Sequence, residues 1–250
     1  MSVTVTFAGC GDAFGSGGRF NTCILVDGIV GGESLRFTID FGASSLVALN
    51  KLGVAHNSID AVLLTHMHGD HFGGLPFMLL DAMLGAGRTT PLTIAGPAGV
   101  ADRVAAATEA LFPGSDMMAP KFDLNFVELA VGQANDVLGL IVTPQPARHT
   151  PQAKPTALRV AVGDKIVTYS GDGEFTADLC AASQGADLFI AECYFHDKAV
   201  RGHLNYRDIR AHADDFGAKR MVLTHLAPEM LAMRGQVPEQ CAEDGLVIEL

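Results

Sequence analysis

A chain of 250 residues with 48% hydrophobic and 18% charged side chains can bury a large core and reads as globular. Its formal net charge of −11 argues against a broadly basic surface that follows a nucleic-acid backbone, because such binding leans on many Lys and Arg contacts. No apolar run approaches the roughly 18–20 residues needed to cross a bilayer, which excludes a membrane-spanning helix.

The chain opens Met1-Ser2-Val3-Thr4-Val5-Thr6-Phe7, which alternates like a strand over 3–8 and lacks the basic start and long apolar stretch of a signal peptide. The glycine-rich loop 9–18 has neither a closing Gly-Lys-Ser/Thr nor Gly-x-Gly-x-x-Gly spacing, so it reads as a connection at a sheet rim rather than a phosphate cradle. Strands follow at 23–26 and 35–40, then a helix over 44–52 that starts after Gly42 and stops at Gly53. Residues 59–64 are apolar and β-prone, as in a buried strand. Next come a helix over 75–84, a strand at 91–95, a helix from Pro97 to about 112, and strands at 122–129 and 137–142. Met78, Leu79 and Met83 read as helix core.

The second half repeats the pattern. Strands 157–162 and 166–170 form a hairpin across Gly163-Asp164-Lys165. A helix over 175–183, a strand at 186–192, a helix over 206–216 and a strand at 220–224 complete it. Two such blocks predict an α/β fold in which two sheets face each other with helices outside. No low-complexity linker divides them, so residues 1–250 read as one domain. Cys10, Cys23, Cys180, Cys193 and Cys241 are odd in number and lack paired spacing, as expected of reduced thiols in a cytoplasm.

The most informative stretch is Leu63-Leu64-Thr65-His66-Met67-His68-Gly69-Asp70-His71-Phe72-Gly73-Gly74. It leaves the end of a strand, where α/β proteins place their chemistry. In an extended turn, positions two apart point the same way, so His66 and His68 can share one metal. Asp70 and His71 can serve a second. Imidazole nitrogen with carboxylate oxygen suits a borderline metal such as zinc. A solvated histidine-rich turn is the plainer alternative; four potential ligands in six residues between an apolar strand and glycines count against it. Three later residues sit at strand ends in similar settings: His149, Asp172 between two glycines, and His225 after Val222-Leu223-Thr224. For each alone a structural role is as good a reading. His56, His196 and His212 lack that setting and read as ordinary residues.

His-x-His-x-Asp-His after a Leu-Leu-Thr strand resembles the signature of the metallo-β-lactamase superfamily. The resemblance implies a four-layer αββα sandwich with a hydrolytic metal centre at the sheet ends. Carried over by position, it implies that His66, His68 and His149 hold one metal. Asp70, His71 and His225 would hold the other, with Asp172 bridging. Two zinc ions are expected, manganese or iron being alternatives, with a water or hydroxide between them as nucleophile.

The runs Glu192-Cys193-Tyr194-Phe195, Gly202-His203-Leu204-Asn205 and Lys219 to His225 resemble the ribonuclease Z and phosphodiesterase branch. There, the histidine at position 203 lies near the metals and assists a leaving group or a non-bridging oxygen. Asp70, His203 and Glu192 are therefore expected at the chemical step, with Glu192 orienting His203; a helix-capping His203 and a structural Glu192 are the alternatives. Two departures matter. Gly171-Asp172-Gly173 replaces the family's Gly-Asp-Thr. Between His149 and Asp172 there is room for only a hairpin, where tRNA-processing members insert a long arm.

The expected function is a dinuclear zinc phosphodiesterase acting on a small, anionic ester, with extended nucleic acid disfavoured and a homodimer permitted. The alternatives are a lactonase, arylsulfatase or β-lactamase-like enzyme on the same site, a tRNA 3′-end endonuclease, or a non-catalytic metal- or partner-binding module.

Overall fold

A computed structural model describes residues 2–250. Among the described residues, fourteen strands form two seven-stranded sheets. The first contains β1 (Thr4–Gly9), β2 (Cys23–Val30), β3 (Glu33–Ile39), β4 (Ala61–Leu63), β5 (Leu92–Gly96), β6 (Leu124–Glu128) and, at its far edge beside β1, β14 (Val247–Glu249). The second runs from β7 (Asn135–Val137) through β8 (Leu140–Pro146), β9 (Thr156–Val162), β10 (Lys165–Tyr169), β11 (Leu188–Glu192) and β12 (Met221–Thr224) to β13 (Gln240–Cys241).

Alternation along the strands builds the layers. On β4, Ala61 and Leu63 face the opposite sheet, while Val62, and Leu64 just after the strand, face outward onto helices. On β11, Leu188 and Ile190 point inward, and Phe189 and Ala191 outward. The inward set of both sheets forms one apolar core that includes Phe7, Phe37, Val160 and Tyr169. Outside the first sheet lie α1 (Ser45–Lys51), α3 (Leu75–Leu84) and α4 (Val100–Leu111). Outside the second lie α5 (Ala177–Ser183), α6 (Tyr206–Ala211) and α7 (Pro228–Ala232). The result is the expected αββα sandwich.

Strand direction explains where the chemistry collects. β3, β4, β5 and β6 run parallel, as do β10, β11, β12 and β13. β8 is antiparallel to β9, and β9 to β10, so β8 shares the direction of β10. The carboxyl ends of these strands carry Asp40, His66, His149, Asp172, Glu192 and His225.

Some expected elements differ. The strand expected at 137–142 is a hairpin. Leu138 and Gly139 both take positive φ, 54° and 83°, and turn the chain between β7 and β8. The helix expected over 206–216 stops at Ala211 and is followed by a 3₁₀ turn, Ala213–Asp215. The helix expected from Pro97 begins only after Gly99, at φ 81°. Short elements without a sequence signal also appear: α7, β13, β14 and the one-turn α2 (Gly69–Phe72). No described helix is long and apolar enough to cross a membrane.

Candidate metal centre

The loop from β4 into α2 delivers His66, His68, Asp70 and His71. One group of donors combines His66, His68 and His149; a second combines Asp70, His71, Asp172 and His225. Within each group the ligand atoms lie within 4.8 Å of one another. Every metal-ligand candidate read from the sequence is thus in one of two adjoining groups.

The imidazoles are aimed by what their other nitrogens do. His71 Nδ1–H donates to Asp40 Oδ2 at 2.6 Å, leaving Nε2 toward the site. His149 Nδ1–H donates to the Gly202 carbonyl at 2.6 Å. His66 Nδ1 lies 3.0 Å from Thr65 Oγ1, whose own proton goes to Asp40 Oδ2 at 2.8 Å. His225 Nδ1 lies 3.5 Å from Glu192 Oε1. Four rings therefore present Nε2 inward; a hydrogen-bonded outer partner sets the tautomer of His66, His71 and His149, while His225 Nδ1 is buried without a hydrogen-bond partner and only faces the Glu192 carboxylate. His68 instead presents Nδ1, 3.2 Å from His66 Nε2 and 3.1 Å from His149 Nε2.

That convergence is the test of fit for a metal. In neutral imidazoles whose protons are spent outward, facing nitrogens direct lone pairs at one another, a repulsive arrangement that a cation relieves. In the second group, His71 Nε2 and Asp172 Oδ1 are buried without a hydrogen-bond partner. Asp172 Oδ1 lies 3.3 Å from His71 Nε2 and 3.6 Å from His225 Nε2, whereas its Oδ2 turns toward His66 Nε2 at 3.9 Å. One carboxylate thus faces both groups. Asp70 Oδ2 sits 3.3 Å from both His71 Nε2 and His225 Nε2. Nitrogen and oxygen donors in these sets suit two divalent cations.

Glycine permits two close approaches. Gly171 takes φ 58°, and a Cβ there would meet the Thr156 carbonyl at 2.7 Å, so the turn that delivers Asp172 requires glycine. A Cβ on Gly202 would stand 2.8 Å from His149 Nδ1.

The two groups differ in charge. Burial lowers the pKa of His66, helped by the neighbouring His71 against the pull of Asp172. Burial and His149 likewise lower that of His68. Burial also opposes charge on His71, but Asp172, Asp40 and Asp70 together hold it well above the imidazole range. His225 behaves alike: burial pulls it down, Asp172, Asp70 and Glu192 push it up, and it rises to about 10. Burial works to raise the Asp70 and Asp172 carboxyls, yet the imidazoles hold both well below the carboxylate range. The carboxylates of the second group thus favour positive charge at the place where its imidazoles converge.

Glu192 is fully buried beside this centre. Its Oε2 accepts the Gly173 and Leu204 amide protons at 2.9 and 3.2 Å, and its Oε1 accepts from His203 Nδ1. Burial opposes charge on His203, but Glu192 outweighs it and raises the pKa. His203 stacks on Tyr194 with centroids 4.6 Å apart and packs edge-on against His149 at 4.9 Å. It does not cap α6; Asn205 does, its side chain accepting the Asp208 amide proton. Because its oxygens are occupied by amide and imidazole donors, Glu192 reads as a hydrogen-bond anchor rather than a third ligand site.

Sequence reasoning missed Asp40 and Thr65. Asp40 is buried at φ 60°, and its two oxygens accept from His71 Nδ1, the Thr65 hydroxyl and the Thr65 amide. Burial raises its carboxyl, an effect His71 and Thr65 offset only in part. The available signal was an acid at the end of a parallel strand next to the ligand strand. Elsewhere, His56 is buried against Asp81 at 2.5 Å, and His196 and His212 pair with Asp197 and Asp215.

Comparison with known proteins bears on the family and the fold. Ribonuclease Z of Lachnoclostridium phytofermentans is 28% identical over 265 residues, covering 85% of this chain and 84% of that protein. The metallo-beta-lactamase fold protein YhfI from Bacillus subtilis superposes with a TM-score of 0.77 at 23% identity over the whole of both chains. The short form of human tRNase Z gives 0.75 at 24% identity over 98% of each. The sequence model of the family described as "Beta-lactamase superfamily domain" matches residues 24–226, and the chain belongs to that family, with the metallo-β-lactamase fold.

Proposed function

We propose that this protein is a dinuclear metal-dependent hydrolase of small, anionic phosphodiesters, with zinc as the metal. The observation that carries the reading is Asp172, whose two oxygens face two separate nitrogen-rich donor groups. His66, His68 and His149 would hold one ion, Asp70, His71 and His225 the other, and Asp172 both. Two divalent ions there supply Lewis acidity toward phosphoryl oxygens and an activated water.

The chain's own groups do the rest. His203 is held at Nδ1 by Glu192, which raises its pKa and so favours the charged ring; that form carries a proton at Nε2, which has no hydrogen-bond partner among the described residues. It is placed to give that proton to a leaving oxygen. Glu192 keeps the ring oriented and stabilises the charged imidazole. Asp70, held strongly ionised, is a weak base; it serves as a ligand and as an acceptor that orients water.

The reading of a tRNA endonuclease rests on the ribonuclease Z relative. Against it, residues between His149 and Asp172 are consumed by a 3₁₀ turn, Pro151–Ala153, and by the sheet strands β9 and β10, and the chain carries a net charge of −11. A metal-replete preparation tested on bis-p-nitrophenyl phosphate, cyclic nucleotides, lactones, an aryl sulfate, a β-lactam and a precursor tRNA decides. Turnover of the diesters above the others supports the proposal. Preference for the tRNA, a lactone, a sulfate or the β-lactam replaces it with that activity, and no metal-dependent turnover at all favours a binding module.

A further inference from the structure

A groove of about 920 Å³ opens on the same rim as the metal centre, with His149 in its lining. It straddles the gap between the two sheets. One wall is Pro97 and Ala98 after β5 and residues 128–131 at the end of β6; the other is 146–149 at the end of β8 and the loop that follows. The size falls within the range of pockets that hold drug-sized ligands.

The groove is a built feature. Pro97, Pro146, Pro151 and Pro155 fix φ along both walls. Lys154, itself at φ 52°, reaches across and donates from Nζ to the Ala98 carbonyl at 2.6 Å. The Ala153 carbonyl accepts the Met67 amide proton at 3.0 Å, which ties the groove loop to the ligand loop. Flat proline and alanine surfaces suit a ring system. Two cations, Arg148 and Lys154, are balanced by Glu128 and Asp178, so the groove offers no cationic track for a polyanion.

We propose that this groove is a substrate subsite that holds one uncharged, ring-bearing substituent of nucleoside size on a single phosphodiester, while the phosphoryl group lies at the metal centre beyond His149. The inference rests on the phosphodiesterase reading and extends it to the part of the substrate that does not react.

The test compares two diesters that share a p-nitrophenolate leaving group: thymidine 5′-(p-nitrophenyl phosphate) and methyl p-nitrophenyl phosphate. The wild-type enzyme should prefer the thymidine ester at least tenfold in kcat/KM. Ala130→Phe and, from the opposite wall, Ala98→Phe should bring that ratio near one, with metal content and turnover of the methyl ester unchanged. A wild-type ratio near one, or a ratio unmoved in both variants, overturns the proposal. The chain has no tryptophan, so Val131→Trp on the groove places a lone fluorophore there. If neither diester is turned over, the phosphodiesterase reading fails, and the fluorophore judges the groove alone. Saturable quenching by thymidine 5′-monophosphate that Ala130→Phe weakens at least tenfold keeps the subsite. Absence of quenching removes it.

Discussion

The two donor groups lie side by side but are built on different physical terms. His66, His68 and His149 form a group of imidazoles, with burial lowering the pKa of the first two. His68 and His149 are only half-buried. The other group sets two ionised carboxylates against two imidazoles that hold protons, and His71, Asp172 and His225 are buried. Asp40 and Glu192 stand behind it as further anions. A cation entering the first group meets dipoles; one entering the second meets charge in a low-dielectric setting, where attraction is strongest. The lesson is that one loop, 66–71, feeds two donor groups of unequal charge, and that the difference is made by Asp70 and Asp40 from the first sheet together with Asp172 and Glu192 from the second.

The largest expected effect comes from the residue the groups share. Elemental analysis of wild-type protein purified without chelator should find close to two metals per chain. Asp172→Ala removes an anion facing both groups, and at least one metal and nearly all turnover should go with it. Full occupancy in that variant would break the idea that one carboxylate serves both groups.

His203 separates chemistry from metal binding. His203→Ala should keep both metals and lower kcat by roughly 10² to 10⁴, the usual span for acid–base assistance. The deficit should shrink for p-nitrophenolate, a leaving group that needs little protonation. Unchanged kcat on a poor leaving group would take His203 out of the reaction.

Legibility in the sequence followed range of contact. The ligand loop is readable because its donors are crowded into a few positions after an apolar strand. Asp172 and His225 are readable because each follows a β-rich run, and Glu192 because it ends one. Asp40 is not, since its meaning depends on His71, 31 positions away. Pattern alone left helix capping by His203 as an alternative; the neighbouring Asn205 takes that role. The β7–β8 turn was hidden in the apolar run Val137-Leu138-Gly139-Leu140, where Leu138 adopts a positive φ that its side chain disfavours. β13 and β14 are two and three residues long, too short for alternation to register, and exist through pairing with β12 and β1.

Asp40 offers a gentler way to sharpen the comparison. Asp40→Asn keeps the volume but replaces an anionic acceptor of His71 with an amide. Metal affinity at the Asp and His group should fall by about 10- to 100-fold, the usual cost of losing such an outer partner. The imidazole group should bind as before. Stepwise titration with a competing chelator reads the two sites separately, and an equal loss at both would show that Asp40 supports the loop as a whole.

The smallest effect is a count of protons. His225 has its pKa raised from 6.5 to about 10 in the folded, metal-free chain. Its charge therefore stabilises the fold fully below 6.5, and that contribution is lost as pH climbs through about 10. Asp70 and Asp172 have depressed values, so their contribution is complete above the ordinary carboxyl range and is lost as pH falls below it. At pH 8 the metal-free second group thus carries a proton on His225, and the carboxylates around His71 favour its charged form as well, so a metal reaches these Nε2 atoms by displacing protons. His66 and His68 have none to give. Calorimetric titration of metal-free protein with zinc, run in two buffers of different ionisation enthalpy, should resolve one site that releases about two protons and one that releases few. Affinity at the first of these should also rise more steeply with pH. Equal release at both sites would mean that the groups share one protonation network and that the contrast between them is one of geometry alone.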